Sequence, residues 1–115
     1  MKAYISILSI IIFSISACDK VELKEEVPGC MEKKINDYKS RNHPCSSGKS
    51  VYRYKLQGEY VYVFNPGNCG ADMMSDVLDE ACNSICGLGG IAGNIICNGD
   101  DFGKTATEET LIWQN

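Results

Sequence analysis

The chain has 115 residues, with 11 basic and 15 acidic side chains, a net charge of −4 and 44% apolar residues. That length allows one domain with a modest core, and an acidic balance with no cluster of Lys and Arg excludes recognition of a nucleic-acid backbone. Seven cysteines in so short a chain point to an exported protein that supplements its core with cross-links.

Residues 1–17 read as an export signal. Lys2 gives a short positive start, Tyr4 to Ile15 is an apolar run, and Ile15-Ser16-Ala17 places small residues before Cys18. The run is too short to span a bilayer as a helix, which takes about 20 residues, so it is expected to be cleaved. Ile-Ser-Ala-Cys resembles a bacterial lipobox, which implies cleavage just before Cys18 and a diacylglycerol with palmitate-type chains on its thiol, anchoring the chain in a membrane of the cell envelope on its periplasmic or surface side. Removal of residues 1–17 takes Lys2 with it, leaving ten basic residues against fifteen acidic and a net charge of −5.

Cysteine parity supports the same reading. With Cys18 given to lipid, Cys30, Cys45, Cys69, Cys82, Cys86 and Cys97 form an even set able to make three bridges in any of fifteen connectivities. A helix over Met31 to Arg41 would rise about 16 Å and disfavours Cys30 with Cys45. Cys86 and Cys97 bracket a glycine-rich loop and are the first choice, since closing a loop of about a dozen residues is worth about 3 kcal/mol in the chain-entropy model.

Residues 18–29 hold the lipidated cysteine and a charged tether, DKVELKEEV, that reads as solvated up to Pro28-Gly29. The folded domain is expected over residues 30–115. Met31, Ile35 and Tyr38 fall at i, i+4 and i+7, the stripe of an amphipathic helix, which His43-Pro44 would end.

Ser50 to Gln57 and Tyr60 to Asn65 alternate and flank Gly58-Glu59, which predicts a hairpin with a type II′ turn. That register pairs Leu56 with Val61 and Tyr54 with Val63. It places Tyr52, Tyr54, Leu56, Val61 and Val63 on the core face. The opposite face then carries Arg53, Lys55, Tyr60, Tyr62 and Phe64, which suits either cation–aromatic packing on a half-wet sheet or a binding surface for an envelope protein or glycan. Further short strands are expected at Met73 to Leu78, Ser84 to Cys86, Ile95 to Cys97 and Thr110 to Gln114, with a turn at Asn98-Gly99 and a capping box at Thr105 to Glu108. The fold class is α+β: an N-terminal amphipathic helix packed on one face of a small antiparallel sheet and stapled by disulfides.

Catalytic patterns are weak. Gly87-x-Gly89-x-x-Ala92 matches a dinucleotide fingerprint, but an exported disulfide domain lacks the parallel strand and crossover helix that the fingerprint serves, so the glycines read as a structural loop. Asp72, Asp76, Asp79, Glu80, Asn98, Asp100 and Asp101 lack EF-hand spacing and read as a solvated rim rather than a calcium site. His43 lies near Cys45, yet a nucleophile needs a free thiolate. No enzyme activity, cofactor or metal is expected.

The run VYVFNPGNCGADMMSDVLDEACNSICGLGGIAGNIICNGDDF, with Pro-Cys and VYRY upstream and Ile112-Trp113 downstream, resembles a family of small exported lipoproteins of unknown function from Bacteroidota. The resemblance implies a lipid-anchored envelope domain of α+β build and brings no substrate or catalytic residue. The expected role is a noncatalytic binding or structural module at the membrane. The alternative is a small protease inhibitor presenting the rigid loop Gly87 to Asn94.

Overall fold

The computed structural model describes residues 22–41, 48–67 and 73–115. The elements run α1 (Gly29–Ser40), β1 (Ser50–Leu56), β2 (Glu59–Asn65), β3 (Met74–Asp79), β4 (Ser84–Gly89), β5 (Ile96–Cys97), β6 (Asp100–Asp101), α2 (Phe102–Thr105) and β7 (Thr107–Gln114). Five of the strands form an antiparallel sheet in the order β4-β3-β2-β1-β7, and β5 and β6 form a separate two-stranded ribbon. This is the α+β architecture that the sequence predicts.

The α1 helix forms where the apolar spacing places it. Pro28 stands at its N-cap with φ −54°, Met31 and Ile35 are fully buried, and Arg41 turns extended at ψ 123° to end it. The predicted end at His43-Pro44 lies outside the described residues. The hairpin turn is one residue earlier than predicted. Leu56 pairs with Glu59, Tyr54 with Val61 and Tyr52 with Val63, so the two central residues are Gln57 and Gly58, at φ 53° and 82°. Positive φ at both positions makes a type I′ turn. Gln57 is held in it by an amide pair with Asn98 and a bond to the Asp100 carboxylate. Because the pairing shifts by an even number, the grouping of residues by face is unchanged.

Which face the helix covers does change. Tyr62 and Phe64, expected outside with Arg53 and Lys55, lie 1% and 6% exposed beneath α1, in a core with Met31, Ile35, Val51, Leu78, Ile112 and Trp113. The face carrying Leu56, Val61, Val63 and Val77 is buried as well, covered by Cys97 and half-buried Phe102 from the segment that carries β5, β6 and α2, with half-buried Leu88 of β4 beside them. Both sheet faces are therefore dry along the middle of β2 and at Val77 and Leu78 of β3. Tyr54 meets Phe102 edge to face, with ring centroids 5.0 Å apart.

Three further expectations are corrected. The residues before α1 are not a solvated tether throughout, since Leu23 and Val27 pack on the helix-side core and Lys24 N–H bonds Ile112 O at 2.9 Å along the β7 edge. No capping box forms at Thr105 to Glu108: Asp101 caps α2, its carboxylate accepting from Lys104 N–H, and β7 already begins at Thr107. The strand at Ser84 extends to Gly89, carrying Gly87 and Gly89 into the sheet. A Cβ at Gly87 would meet the Met74 thioether on the neighbouring strand, so the exposed Met74 side chain lies over Gly87 in the space that a larger residue would take.

Among the described residues, two disulfides tie the covers to the sheet. Cys86–Cys97 joins β4 to β5, as the loop argument predicts, and Cys30–Cys82 joins the first turn of α1 to the β3–β4 turn. In the chain-entropy model they are worth about 3 and about 4 kcal/mol respectively. Cys18, Cys45 and Cys69 lie outside the described residues. Mass mapping under non-reducing conditions is expected to find both bridges and to join Cys45 with Cys69, leaving no free thiol among these six. The reversed hairpin has its own check. Tyr62→Ala should cost about 3–5 kcal/mol in denaturant unfolding, whereas Tyr60→Ala should cost no more than about 1 kcal/mol; equal small losses would restore Tyr62 to the surface.

Candidate ligand-binding site

Moving Tyr62 and Phe64 inward divides the predicted binding face. What remains outside is a strip of half-buried Arg53, Lys55 and Tyr60. Its groups are engaged with one another: the Arg53 guanidinium carbon sits 4.6 Å from the Tyr60 ring centroid, Lys55 Nζ sits 5.8 Å from it, and Lys55 reaches Glu108 at 4.0 Å. This is the cation–aromatic packing expected of a sheet face.

A concave feature that gathers charged and aromatic side chains lies at the C-terminal end of α1. Lys34, Tyr38 and Arg41, at i, i+4 and i+7, form one wall of a cavity of about 280 Å³. Lys49 from the approach to β1, Phe64 and Pro66 at the end of β2, and Met74, Asp76 and Leu78 of β3 form the rest. Lys49 is the side chain that ties wall to floor. It is 4% exposed, its Nζ lies 3.3 Å from both Tyr38 O and Arg41 O, and it sits 5.1 Å from the centre of the Tyr38 ring. An ammonium at a helix C-terminus satisfies orphan carbonyls and opposes the negative end of the dipole. Among the described residues, no carboxylate lies within salt-bridge distance of it.

Tyr38 is fixed by its rings as well. It stands edge to face on Phe64 at 5.3 Å and on Trp113 at 6.3 Å, and its hydroxyl is buried without a hydrogen-bond partner among the described residues. Burial pushes its pKa up, and the positive charge of Arg41 offsets part of that rise. Three cations therefore surround this cavity in a chain whose net charge is negative. Asp76, the one carboxylate that lines it among the described residues, accepts a hydrogen bond from the Ser84 hydroxyl. No sequence signal marked this site. Lys34 and Arg41 read as solvated helix charges, and nothing in Ser-Gly-Lys-Ser shows that Lys49 would be buried.

The other predicted features take structural places. Asp79 accepts from Asn83 N–H, Asp100 from Gln57 and Asp101 from Lys104 N–H, each a local bond of a turn or cap. Asp72, His43, Cys45 and Cys69 lie outside the described residues. The glycine loop is a tight turn at the end of β4. Gly89 and Asn94 exchange backbone hydrogen bonds at 2.8 and 3.1 Å, and the Asn94 amide donates to Gly87 O and Ile96 O. Ile91 at its tip is 89% exposed.

The fold and its surface define a disulfide-stapled α+β domain with a small cationic, aromatic-walled cavity. The chain belongs to the DUF6970 family, a domain of unknown function, whose family model matches residues 33–115. No curated protein and no solved structure matches it.

Burial also raises the pKa of Tyr54 and Tyr62 above the usual 10.0; for Tyr54 the Glu109 carboxylate adds to the rise, and for Tyr62 the Arg53 guanidinium opposes it. A tyrosine raised in the folded state contributes stability that is fully present below about pH 10, its unfolded value, and is lost as pH climbs through the folded pKa. Unfolding free energy is therefore expected to fall above pH 10, and Tyr62→Phe should make that fall shallower. An unchanged alkaline profile in Tyr62→Phe would contradict the burial of its hydroxyl.

Proposed function

We propose that the protein is a lipid-anchored, noncatalytic binding module of the bacterial cell envelope, of the Bacteroidota type that its sequence resembles. The observation that carries the reading is the two-sided stapling of the sheet: each cover is tied by its own disulfide, which yields a rigid scaffold whose recognition surfaces are already ordered. The described cysteines are consumed in bridges, and Asp76, Asp79, Asp100 and Asp101 are engaged in local hydrogen bonds. These roles fit recognition better than acid–base or nucleophilic chemistry. The strip Arg53, Lys55 and Tyr60 offers an envelope protein or glycan a cationic, aromatic surface.

The anchor follows from Ile15-Ser16-Ala17-Cys18. The docking of Leu23 and Lys24 on the domain leaves only residues 19–21 between the lipidated cysteine and Glu22. With Cys18 on a lipid, Glu22 would lie within about 14 Å of the attachment point, so the domain would ride close to the bilayer. Metabolic labelling with a palmitate analogue should mark the wild-type protein and not Cys18→Ala. Unlabelled wild-type protein, or equal labelling of the variant, refutes the anchor.

A second reading, protease inhibition, draws support from Ile91, which projects from a turn closed by Cys86–Cys97 and braced by Asn94. In a panel of proteases, inhibition that is lost in Ile91→Asp would favour it. No inhibition by the wild-type protein removes it.

A further inference from the structure

We infer that the cavity at the C-terminal end of α1 is a binding site for a small organic anion, a phosphate or carboxylate head joined to a compact apolar body. The inference rests on the reading of the protein as a binding module and gives that module a ligand class and a place.

Charge comes first. Lys34, Arg41 and Lys49 converge on a cavity in a chain of net charge −4. Cations gathered against the overall charge create a local positive potential that a neutral or cationic ligand would not use. Lys49 adds a second consideration. Its ammonium is 4% exposed and is met by two carbonyl oxygens and a ring face, with no carboxylate in reach among the described residues. Three donors on an ammonium against two carbonyls leave one for a ligand oxygen, and a buried cation gains most from an anionic partner.

The remaining surface specifies the other half of the ligand. Phe64, Met74 and Leu78 present apolar atoms, and the Tyr38 ring is locked edge-on against Phe64. An inorganic ion would leave this part of the cavity unused. A volume of about 280 Å³ falls just under the usual range for drug-sized ligands, roughly 300–1,000 Å³, so the body is one ring or a short branched chain. The Tyr38 hydroxyl is buried without a partner among the described residues, so the ring face and edge of Tyr38 rather than its hydroxyl bound the cavity.

The test uses the full-length protein in a non-ionic detergent and follows backbone amide and Tyr38 ring signals by NMR. The probes are phenyl phosphate, phenylacetate, inorganic phosphate and benzylamine. Phenyl phosphate or phenylacetate should saturate with shifts confined to Lys34 to Arg41, Lys49, Phe64 and Met74 to Leu78, and the tighter of the two identifies the head group. Inorganic phosphate should bind at least tenfold more weakly than phenyl phosphate, and benzylamine should not saturate. Lys34→Glu and Arg41→Glu, both at exposed positions, should each weaken binding at least fivefold, whereas Asp76→Asn should strengthen it about twofold. Equal binding of inorganic and phenyl phosphate overturns the inference, as does saturation by benzylamine, shifts outside this region, or affinity unchanged in both charge-reversal variants. The lipid anchor is read separately through Cys18, so an unlipidated protein that still binds phenyl phosphate would refute the anchor and leave the site standing.

Discussion

Strand β2 carries aromatic residues on one side and aliphatic residues on the other, and neither side can be left in water. Tyr62 and Phe64 face one way and Val61 and Val63 the other, all four buried. Fully burying a side chain of this size is worth about 1.5–3 kcal/mol, so leaving either pair wet would forfeit a large share of the stability of a chain this short. The sheet therefore needs two covers. The α1 helix supplies one with Met31 and Ile35, and the segment carrying β5, β6 and α2 supplies the other with Cys97 and Phe102. Neither cover is large, and each disulfide fixes one of them.

That arrangement explains how the cavity arises. The α1 helix must lie over Tyr62 and Phe64, which brings its last turn beside the ends of β2 and β3. Its carbonyls there need donors, and Lys49, entering β1, reaches Tyr38 O and Arg41 O. The consequence is a buried cation beside an aromatic wall, with Lys34 and Arg41 on the same side of the helix. Structural needs of the helix end thus assemble a chemistry suited to an anionic ligand. The neighbouring turn at the same end of the sheet, where Gly89 pairs with Met74, is organised differently, since the Gly89–Asn94 turn is braced by backbone and Asn94 amide bonds and presents the apolar side chain of Ile91.

Much of the fold was legible where a local period or turn decides it. The spacing of Met31, Ile35 and Tyr38 marks α1, alternation marks β1 and β2, Asn98-Gly99 forms its turn at φ 54° and 86°, and the short loop between Cys86 and Cys97 closes as a bridge. What was illegible depends on distant partners. A period of two separates Tyr62 and Phe64 from Val61 and Val63 without saying which pair meets the helix, because both are apolar. The hairpin turn moved by one residue because Asn98, 41 residues away, holds Gln57 at positive φ. The capping box at Thr105 lost to Asp101 because Phe102 is drawn onto Tyr54 and the helical turn starts there. The candidate site was missed for the same reason: Lys49 becomes a buried cation only when the end of α1 arrives beside it.

The burial of both sheet faces is the claim on which the rest stands, and solvent paramagnetic relaxation measures it directly. With a soluble neutral gadolinium probe, the methyl groups of Val61, Val63, Val77 and Leu78 and the ring protons of Tyr62 and Phe64 should all be shielded, with no alternation along β2 or β3, while Ile91 relaxes fast. An alternating pattern, with Tyr62 and Phe64 relaxing like surface residues and Val61 and Val63 protected, would mean that the sheet has one dry face and that α1 does not lie where this account places it.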